Sequence, residues 1–101
     1  MTEARSVLGV GELNQRADEL LRAGLGSVWV EGEVSNLRQY ASAHRYFSLK
    51  DEGASISCTL FRGRAGNAAP FADGDRVLVF ARPGVYVARG QFQLVMERLE
   101  S

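Results

Sequence analysis

The stretch from residue 28 to residue 60, VWVEGEVSNLRQYASAHRYFSLKDEGASISCTL, decides the fold. At its start, Val28, Val30 and Val34 share one face of an alternating segment, with Gly32 in the gap on that face. Period two over this length predicts a half-buried strand. A glycine on the core face weakens a strand unless the strand bends or another backbone comes close. We therefore expect this strand to curl at Gly32, as the long strand of a small closed barrel does, and a connecting loop to follow it at 37–43.

The same alternation predicts two further strands, at 44–50 and 54–60, joined by the Asp-Glu-Gly turn at 51–53, where glycine accepts a positive φ. Polar and apolar residues alternate along both strands, so each buries one face. The side chains predicted to point inward are Phe47, Leu49, Ile56, Cys58 and Leu60. A curled strand followed by a hairpin is the beginning of a β-meander.

A helix is predicted over 11–24, ahead of the first strand. Gly11 is expected to act as its N-cap and Gly24 and Gly26 to end it. The i, i+4, i+7, i+8 spacing predicts one apolar face that covers the barrel. That face consists of Leu13, Ala17, Leu20 and Leu21.

After the third strand, the glycine-rich segment 62–70 ends at a proline and predicts a loop or at most one helical turn. A fourth strand is expected from the alternation of Val77, Val79 and Ala81, with Pro83-Gly84 as a bend or an edge. A hairpin tip at 86–90 leads to a fifth strand, 92–99. Its inward residues are predicted to be Phe92, Leu94 and Met96. Residues 1–101 then form a single all-β domain with one N-terminal helix: a five-stranded Greek-key OB-fold barrel over 27–100.

Composition narrows the function. The net charge is zero, but residues 37–91 hold eight basic and four acidic residues, so the base-rich part coincides with the later strands. The one cysteine, Cys58, allows no internal disulfide, and a small buried thiol is the favoured interpretation. No signal peptide or apolar membrane span is indicated, and we expect a cytoplasmic protein. The lone His44 has no partner at ligand spacing, and no catalytic motif or cofactor fingerprint occurs.

Binding chemistry is the better prospect, because barrels of this type hold single strands across their second and third strands and the flanking loops. Exposed aromatic rings stack on bases, and basic side chains contact phosphates. The residues predicted to bind nucleic acid are Arg38, His44, Arg45, Tyr46, Lys50, Phe61, Arg62, Arg64, Tyr86 and Arg89. Structural roles stay open for some aromatic residues. Tyr46 is equally compatible with a half-buried position, Phe61 with packing under the 62–71 loop, and Trp29 with packing under the helix.

Five segments together resemble one family. They are SVLGVGELN, GSVWVEGEVSN, HRYFSLKD, the CxxFRGR at 58–64, and YVARGQFQLV at 86–95. In combination they are similar to the N-terminal domain of the large subunit of exodeoxyribonuclease VII. The shorter pattern VxVxGxV alone is shared with the anticodon-binding domains of aspartyl- and lysyl-type tRNA synthetases.

The resemblance implies an OB-fold that binds single-stranded DNA, within a longer chain that degrades it to oligonucleotides. It further implies a downstream catalytic domain and a small subunit as partners, and no catalysis in the present fragment. Two alternatives remain at this point. One is an RNA-binding domain of the tRNA-anticodon type, and the other is a domain that docks against protein.

Overall fold

The computed structural model describes residues 5–101. Within that range it contains a helix, five strands and a short 3-10 helix, and the strands close a barrel in the order β1-β2-β3-β5-β4. The predicted all-β barrel with one N-terminal helix is confirmed. The elements are α1 (Val10–Leu25), β1 (Val28–Gln39), β2 (Arg45–Lys50), β3 (Ser55–Leu60), the 3-10 helix (Arg62–Asn67), β4 (Arg76–Tyr86) and β5 (Gln91–Glu100).

β1 belongs to both halves of the barrel. Its residues 28–33 pair with β4, its residues 33–39 pair with β2, and both pairings are antiparallel. Gly32 is buried beside the change of partner, and a Cβ there would lie 2.9 Å from the carbonyl oxygen of Lys50. This close approach explains the glycine on the core face. β1 also runs to Gln39, further than predicted, because its second half continues the ladder with β2 into the segment assigned to a loop.

The core lies inside the barrel and is built from all five strands. On β2 and β3, Phe47, Leu49, Cys58 and Leu60 are buried as predicted, and Ile56 is partly buried against them. The other core residues are Val34, Val77, Val79, Ala81, Leu94, Met96 and Leu99. Period-two alternation therefore identified the inward face of the central hairpin correctly.

The prediction for β5 was wrong at both ends of the strand. Phe92 is half exposed, whereas Leu99, which was not assigned to the core, is buried. Phe80 pairs with Arg98 but the next residue, Ala81, pairs with Met96, so β5 carries one extra residue at this point. Such a β-bulge shifts the alternation by one position, and Leu99 replaces Arg98 on the inner face.

The segment Pro83-Gly84 does not bend or end β4. Both residues are buried, and β4 continues through them to Tyr86 in register with β5. The 62–70 segment contains more helix than the predicted loop or single turn, because the 3-10 helix Arg62–Asn67 has six residues, which is about two turns. An extended residue, Ala68, follows it. Phe71 then returns to the barrel, where its ring lies 5.2 Å from that of Phe47.

The helix begins one residue earlier and ends one residue later than predicted. Its N-cap is Gly9 rather than Gly11, because the Gly9 N–H donates to Glu12 Oε1 at 3.2 Å and the Gly9 carbonyl accepts the first helical bond from Leu13. At the other end, Gly26 adopts φ 59° and donates to Arg22 O.

The helix face that meets the barrel matches the predicted one only in part, since Ala17 and Leu21 are partly buried. Leu13 and Leu20 are 56% and 72% exposed, whereas Asp18 is buried and Asn14 and Leu21 are partly buried. α1 packs on β4. On this side of α1, Asp18 is hydrogen-bonded to Val85 in β4 and Asn14 to Val87 in the turn after it, and part of the apolar stripe lies in solvent.

Candidate nucleic-acid interface

A groove of about 610 Å³ crosses the outer surface of the barrel. Its floor is formed by β2, β3 and β5, one wall by β1 and the turn after it, and the other wall by the β4–β5 hairpin. The lining residues are Asn36, Arg38, Tyr40, Tyr46, Phe47, Ser48, Ser57, Cys58, Thr59, Tyr86, Arg89, Gln91 and Gln93. Of the ten residues predicted to bind, the structure brings Arg38, Tyr46, Tyr86 and Arg89 together here.

The floor of the groove lies over the closure of the barrel. β3 and β5 pair in parallel there, through Ser57 with Gln93 and Thr59 with Val95. The Gln91 side chain spans the same junction, donating from Nε2 to Ser57 Oγ at 3.0 Å. Thr59 faces the groove but is only 5% exposed. The floor therefore presents hydroxyl and amide groups, which can donate to or accept from a bound ligand.

Tyrosine rings stand on both walls. Tyr40 and Tyr46 form an edge-to-face pair with ring centroids 5.2 Å apart, and they are 52% and 38% exposed. Tyr86 on the opposite wall is 50% exposed. Of the two positions left open for Tyr46, the structure shows the more exposed one. Rings held in this way by a neighbouring ring or a hairpin offer flat faces to a base.

The charge of the groove is positive. Arg38 and Arg89 line it, and no carboxylate occurs among the lining residues that the structure describes. Between the groove residues Asn36 and Arg38, the Leu37 N–H donates to Asp73 Oδ1 at 2.8 Å. Guanidinium groups suit phosphate because they are permanently charged and can donate two parallel hydrogen bonds.

Four further predicted residues form a separate cluster beside the groove, at the junction of β2, β3 and the 3-10 helix. The His44 and Phe61 rings meet edge to face at 5.2 Å, and His44 Nδ1 accepts the Arg62 N–H at 2.9 Å. Phe61 is 41% exposed, so part of its ring is open to solvent. Arg62 and Arg64 are exposed on the 3-10 helix, and none of the four lines the groove.

The last two predicted residues lie elsewhere. The Arg45 guanidinium is 5.6 Å from the centroid of the Phe71 ring, on the other face of β2 from Tyr46. Lys50 lies at the far end of β2, with Nζ 3.4 Å from Glu33 Oε2. Trp29 is half exposed, and its ring lies 5.0 Å from that of Phe80 on β4.

Sequence reasoning did not select several groove residues. They are Asn36, Tyr40, Ser48, Gln91 and Gln93. Tyr40 stood in a segment assigned to the first connecting loop, and aromatic residues in that loop were a usable signal. The glutamines alternate with Phe92 and Leu94 on β5, and their place in the groove depends on a strand pairing that spans 36 positions of sequence.

Cys58 lies under the groove floor and is 1% exposed. Burial raises the pKa of its thiol to about 12, although a backbone hydrogen bond from Leu49 acts in the opposite direction. The thiol is therefore neutral at ordinary pH and contributes to packing. Among residues 5–101, no cluster of three or more potential metal ligands is present. In the same range, no helix is long and apolar enough to span a membrane.

Comparison with known families bears on this groove. Residues 8–100 match the family described as the OB-fold nucleic acid binding domain, which is nearly the whole chain. The chain belongs to this family. The OB domain is thus a nucleic-acid-binding module, and its groove occupies the strand faces on which such barrels hold their ligands.

The resemblance to exodeoxyribonuclease VII is confirmed by a curated relative. The OB domain is 50% identical over 98 residues to the exodeoxyribonuclease 7 large subunit of Thiobacillus denitrificans, a match that covers 95% of this chain and 22% of that protein. The chain thus spans about a fifth of the length of the relative.

Two solved structures share the fold at low sequence identity. A replication protein A heterotrimer bound to single-stranded DNA matches with a TM-score of 0.62 and 14% identity, over 75% of this chain and 57% of that one. A putative aspartyl-tRNA synthetase from Leishmania major matches with a TM-score of 0.60 and 16% identity, over 99% of this chain and 21% of that one. At these identities the likeness concerns the fold alone.

Proposed function

We propose that the groove binds single-stranded DNA, with bases on the tyrosine rings and phosphates at the two arginines. The observation that carries the proposal is the arrangement of three tyrosine rings: Tyr40 on one wall, Tyr46 beside it on the floor strand β2, and Tyr86 on the opposite wall. The described residues that line the groove include no carboxylate. Stacking on aromatic rings contributes about 1–3 kcal/mol per base and tolerates any sequence. A duplex hides its base faces, so this arrangement selects unpaired strands.

The relatives support DNA as the ligand and a nuclease as the context. The curated relative is named an exodeoxyribonuclease large subunit. On this proposal the domain captures the substrate of such an enzyme, while cleavage and the contacts with a small subunit belong to other parts of the longer protein. The described residues that line the groove offer aromatic, hydroxyl, amide and guanidinium groups, which suit binding of a nucleic acid.

A titration of labelled oligonucleotides tests the proposal. An oligodeoxythymidylate of about 16 nucleotides covers the range of OB-fold sites. With two phosphates contacted, its affinity should fall about sevenfold between about 50 mM and about 200 mM salt. A DNA duplex of the same length should bind more weakly. A preference for a structured RNA loop over single-stranded DNA would instead favour the anticodon-type alternative.

The docking alternative requires an exposed apolar helix face, and Leu13 and Leu20 provide one. The two hypotheses are separable because this face lies on α1 and does not line the groove. A double variant, Leu13→Ser with Leu20→Ser, should bind the oligonucleotide as the unmodified domain does, whereas Tyr46→Ala should bind at least fivefold more weakly. The reverse pattern would contradict the proposal.

A further inference from the structure

The helix contacts the β4–β5 hairpin through two side chains one helical turn apart. Asn14 donates from Nδ2 to the carbonyl oxygen of Val87 at 2.9 Å, across 73 positions of sequence. Asp18 accepts the Val85 N–H at 2.9 Å through Oδ1. Both hydrogen bonds are partly buried, and in both the partner on the hairpin is a backbone group. They therefore constrain the path of the hairpin backbone.

These two hydrogen bonds flank Tyr86. The residue before it and the residue after it are each held by α1, while its own ring lines the groove. The turn continues with the Arg89 N–H donating to the Tyr86 carbonyl at 3.1 Å, and Arg89 also lines the groove. The hairpin wall that carries Tyr86 and Arg89 is therefore attached to α1 through its backbone.

Two glycines allow the helix to come this close. A Cβ at Gly84 would lie 2.6 Å from Asp18 Oδ1, and a Cβ at Gly90 would lie 3.1 Å from Asn14 Nδ2. Gly90 also adopts φ 63°, a conformation that favours glycine. Asp18 is itself held in place by Arg22, whose Nε lies 3.0 Å from its Oδ2. The contact between the hairpin and the helix thus combines two hydrogen bonds with two glycines that leave room for the bonded side chains.

We propose that Asn14 and Asp18 are positioning residues for nucleic-acid binding. They hold the hairpin so that Tyr86 and Arg89 face the bound strand, although neither of them lines the groove. The effect on binding rests on the proposed function. The statement that Asn14 and Asp18 hold the hairpin does not depend on it. Without the two contacts, residues 87–90 keep the turn bond from Arg89 to Tyr86 above the last β4–β5 pair, Tyr86 with Gln91. Exposed hairpin tips with few contacts are mobile.

The isosteric substitution Asn14→Asp tests the inference, because a carboxylate has no N–H to donate to the Val87 carbonyl. We expect the affinity for the oligodeoxythymidylate to fall about three- to tenfold. Gln15→Glu is the matched control, since it adds the same charge at the next, exposed position, where the side chain contacts Glu19 only within the helix. Its affinity should change less than twofold. Equal losses in both variants would assign the effect to charge and overturn the inference.

Adding Asn14→Asp to a variant that lacks both groove side chains of the hairpin separates a positioning effect from a general loss of stability. If Asn14 acts through the hairpin, Asn14→Asp should weaken binding no further in a domain that already carries Tyr86→Ala and Arg89→Ala. An undiminished loss in that background would overturn the inference. A failure of the unmodified domain to bind any single strand would contradict the proposed function instead.

Hydrogen exchange without oligonucleotide provides a readout that does not depend on binding. In Asn14→Asp, the amide of Arg89 should exchange several times faster, while amides of β2 and β3 keep their rates. For the second contact, Asp18→Asn retains an acceptor for the Val85 N–H and should leave that amide protected, whereas Asp18→Ala should not. Unchanged exchange at Arg89 in Asn14→Asp would overturn the inference whether or not the domain binds DNA.

Discussion

A Cβ on Gly32 would lie 2.8 Å from Leu49 Cγ, so β1 passes over β2 at this distance only because position 32 has no side chain. The nearby Lys50 carbonyl, at 2.9 Å, belongs to the backbone and cannot move aside as a side chain can. We therefore expect Gly32→Ala to lower the free energy of unfolding by about 1–3 kcal/mol, measured by urea denaturation.

Gly24→Ala is the control for this substitution. Gly24 lies inside α1, and a Cβ there would meet nothing within 4 Å. Alanine forms helix more readily than glycine, so this variant should be more stable by up to about 1 kcal/mol. A Gly32→Ala domain as stable as the unmodified one would show that β1 and β2 are further apart than described.

The thiol of Cys58 should resist modification in the folded domain. Its pKa is raised to about 12 by burial, and the chain has no other cysteine, so a thiol reagent reports on this site alone. At about pH 8 the reaction should be slower than that of the denatured chain by several orders of magnitude. Rapid modification under native conditions would contradict the closed groove floor.

The same shift has a consequence for stability at high pH. The folded state keeps the Cys58 proton up to about pH 12, whereas the unfolded thiol loses it near its ordinary value of 9.0. This contribution to stability is therefore complete below pH 9 and is lost as the pH rises from there towards 12. Cys58→Ala should show a smaller decline over that interval in pH-dependent denaturation. A parallel decline in both proteins would mean that other groups cause it.

The salt dependence of binding should identify the arginines that meet phosphates. Removing either groove arginine, by Arg38→Ala or Arg89→Ala, should weaken binding to all sequences alike and reduce the salt slope by about 0.7, the contribution of one phosphate of a single strand. Lys50→Ala is the basic control, because this side chain pairs with Glu33 away from the groove. A slope that changes with Lys50 but not with the arginines would place the strand on another surface.

The orientation of α1 predicts different effects for two adjacent leucines. Leu20 is 72% exposed and Leu21 is partly buried against the barrel. Leu20→Ser should change the free energy of unfolding by less than about 0.5 kcal/mol, as for other surface positions. Leu21→Ser should lower it by about 1–2 kcal/mol, part of the cost of a core truncation. Equal losses in the free energy of unfolding would instead support the helix face predicted from the sequence, which buries both leucines.

The barrel and most of its inner face were predictable, because strict alternation on β1, β2 and β3 assigns each side chain to one side of the sheet. The misplaced positions have local causes. One extra residue in β5, opposite Phe80 and Ala81, moves Leu99 inward. No residue type at this point of the sequence predicts such a bulge. The helix is rotated from its predicted position, so that Asn14 and Asp18 form hydrogen bonds with the backbone of Val87 and Val85 while Leu20 is exposed.

The candidate site was predictable only in part. Tyr46 and Tyr86 stood out as aromatic residues next to basic ones on predicted strands or loops. Gln91 and Gln93 did not, because their place beside Ser57 follows from the parallel pairing of β3 with β5, which closes the barrel. The position of His44 against Arg62 also depends on a tertiary contact between a turn and the 3-10 helix.

The most direct test of the central claim is a two-dimensional NMR titration of the isotope-labelled domain with oligodeoxythymidylate, which follows each backbone amide. The account predicts that the largest shifts map to Tyr46, Thr59, Arg89 and Gln93, the residues around the groove, while amides near Trp29 and Leu20 stay in place. Shifts confined to the Trp29 face or to α1, with the groove amides unmoved, would contradict it.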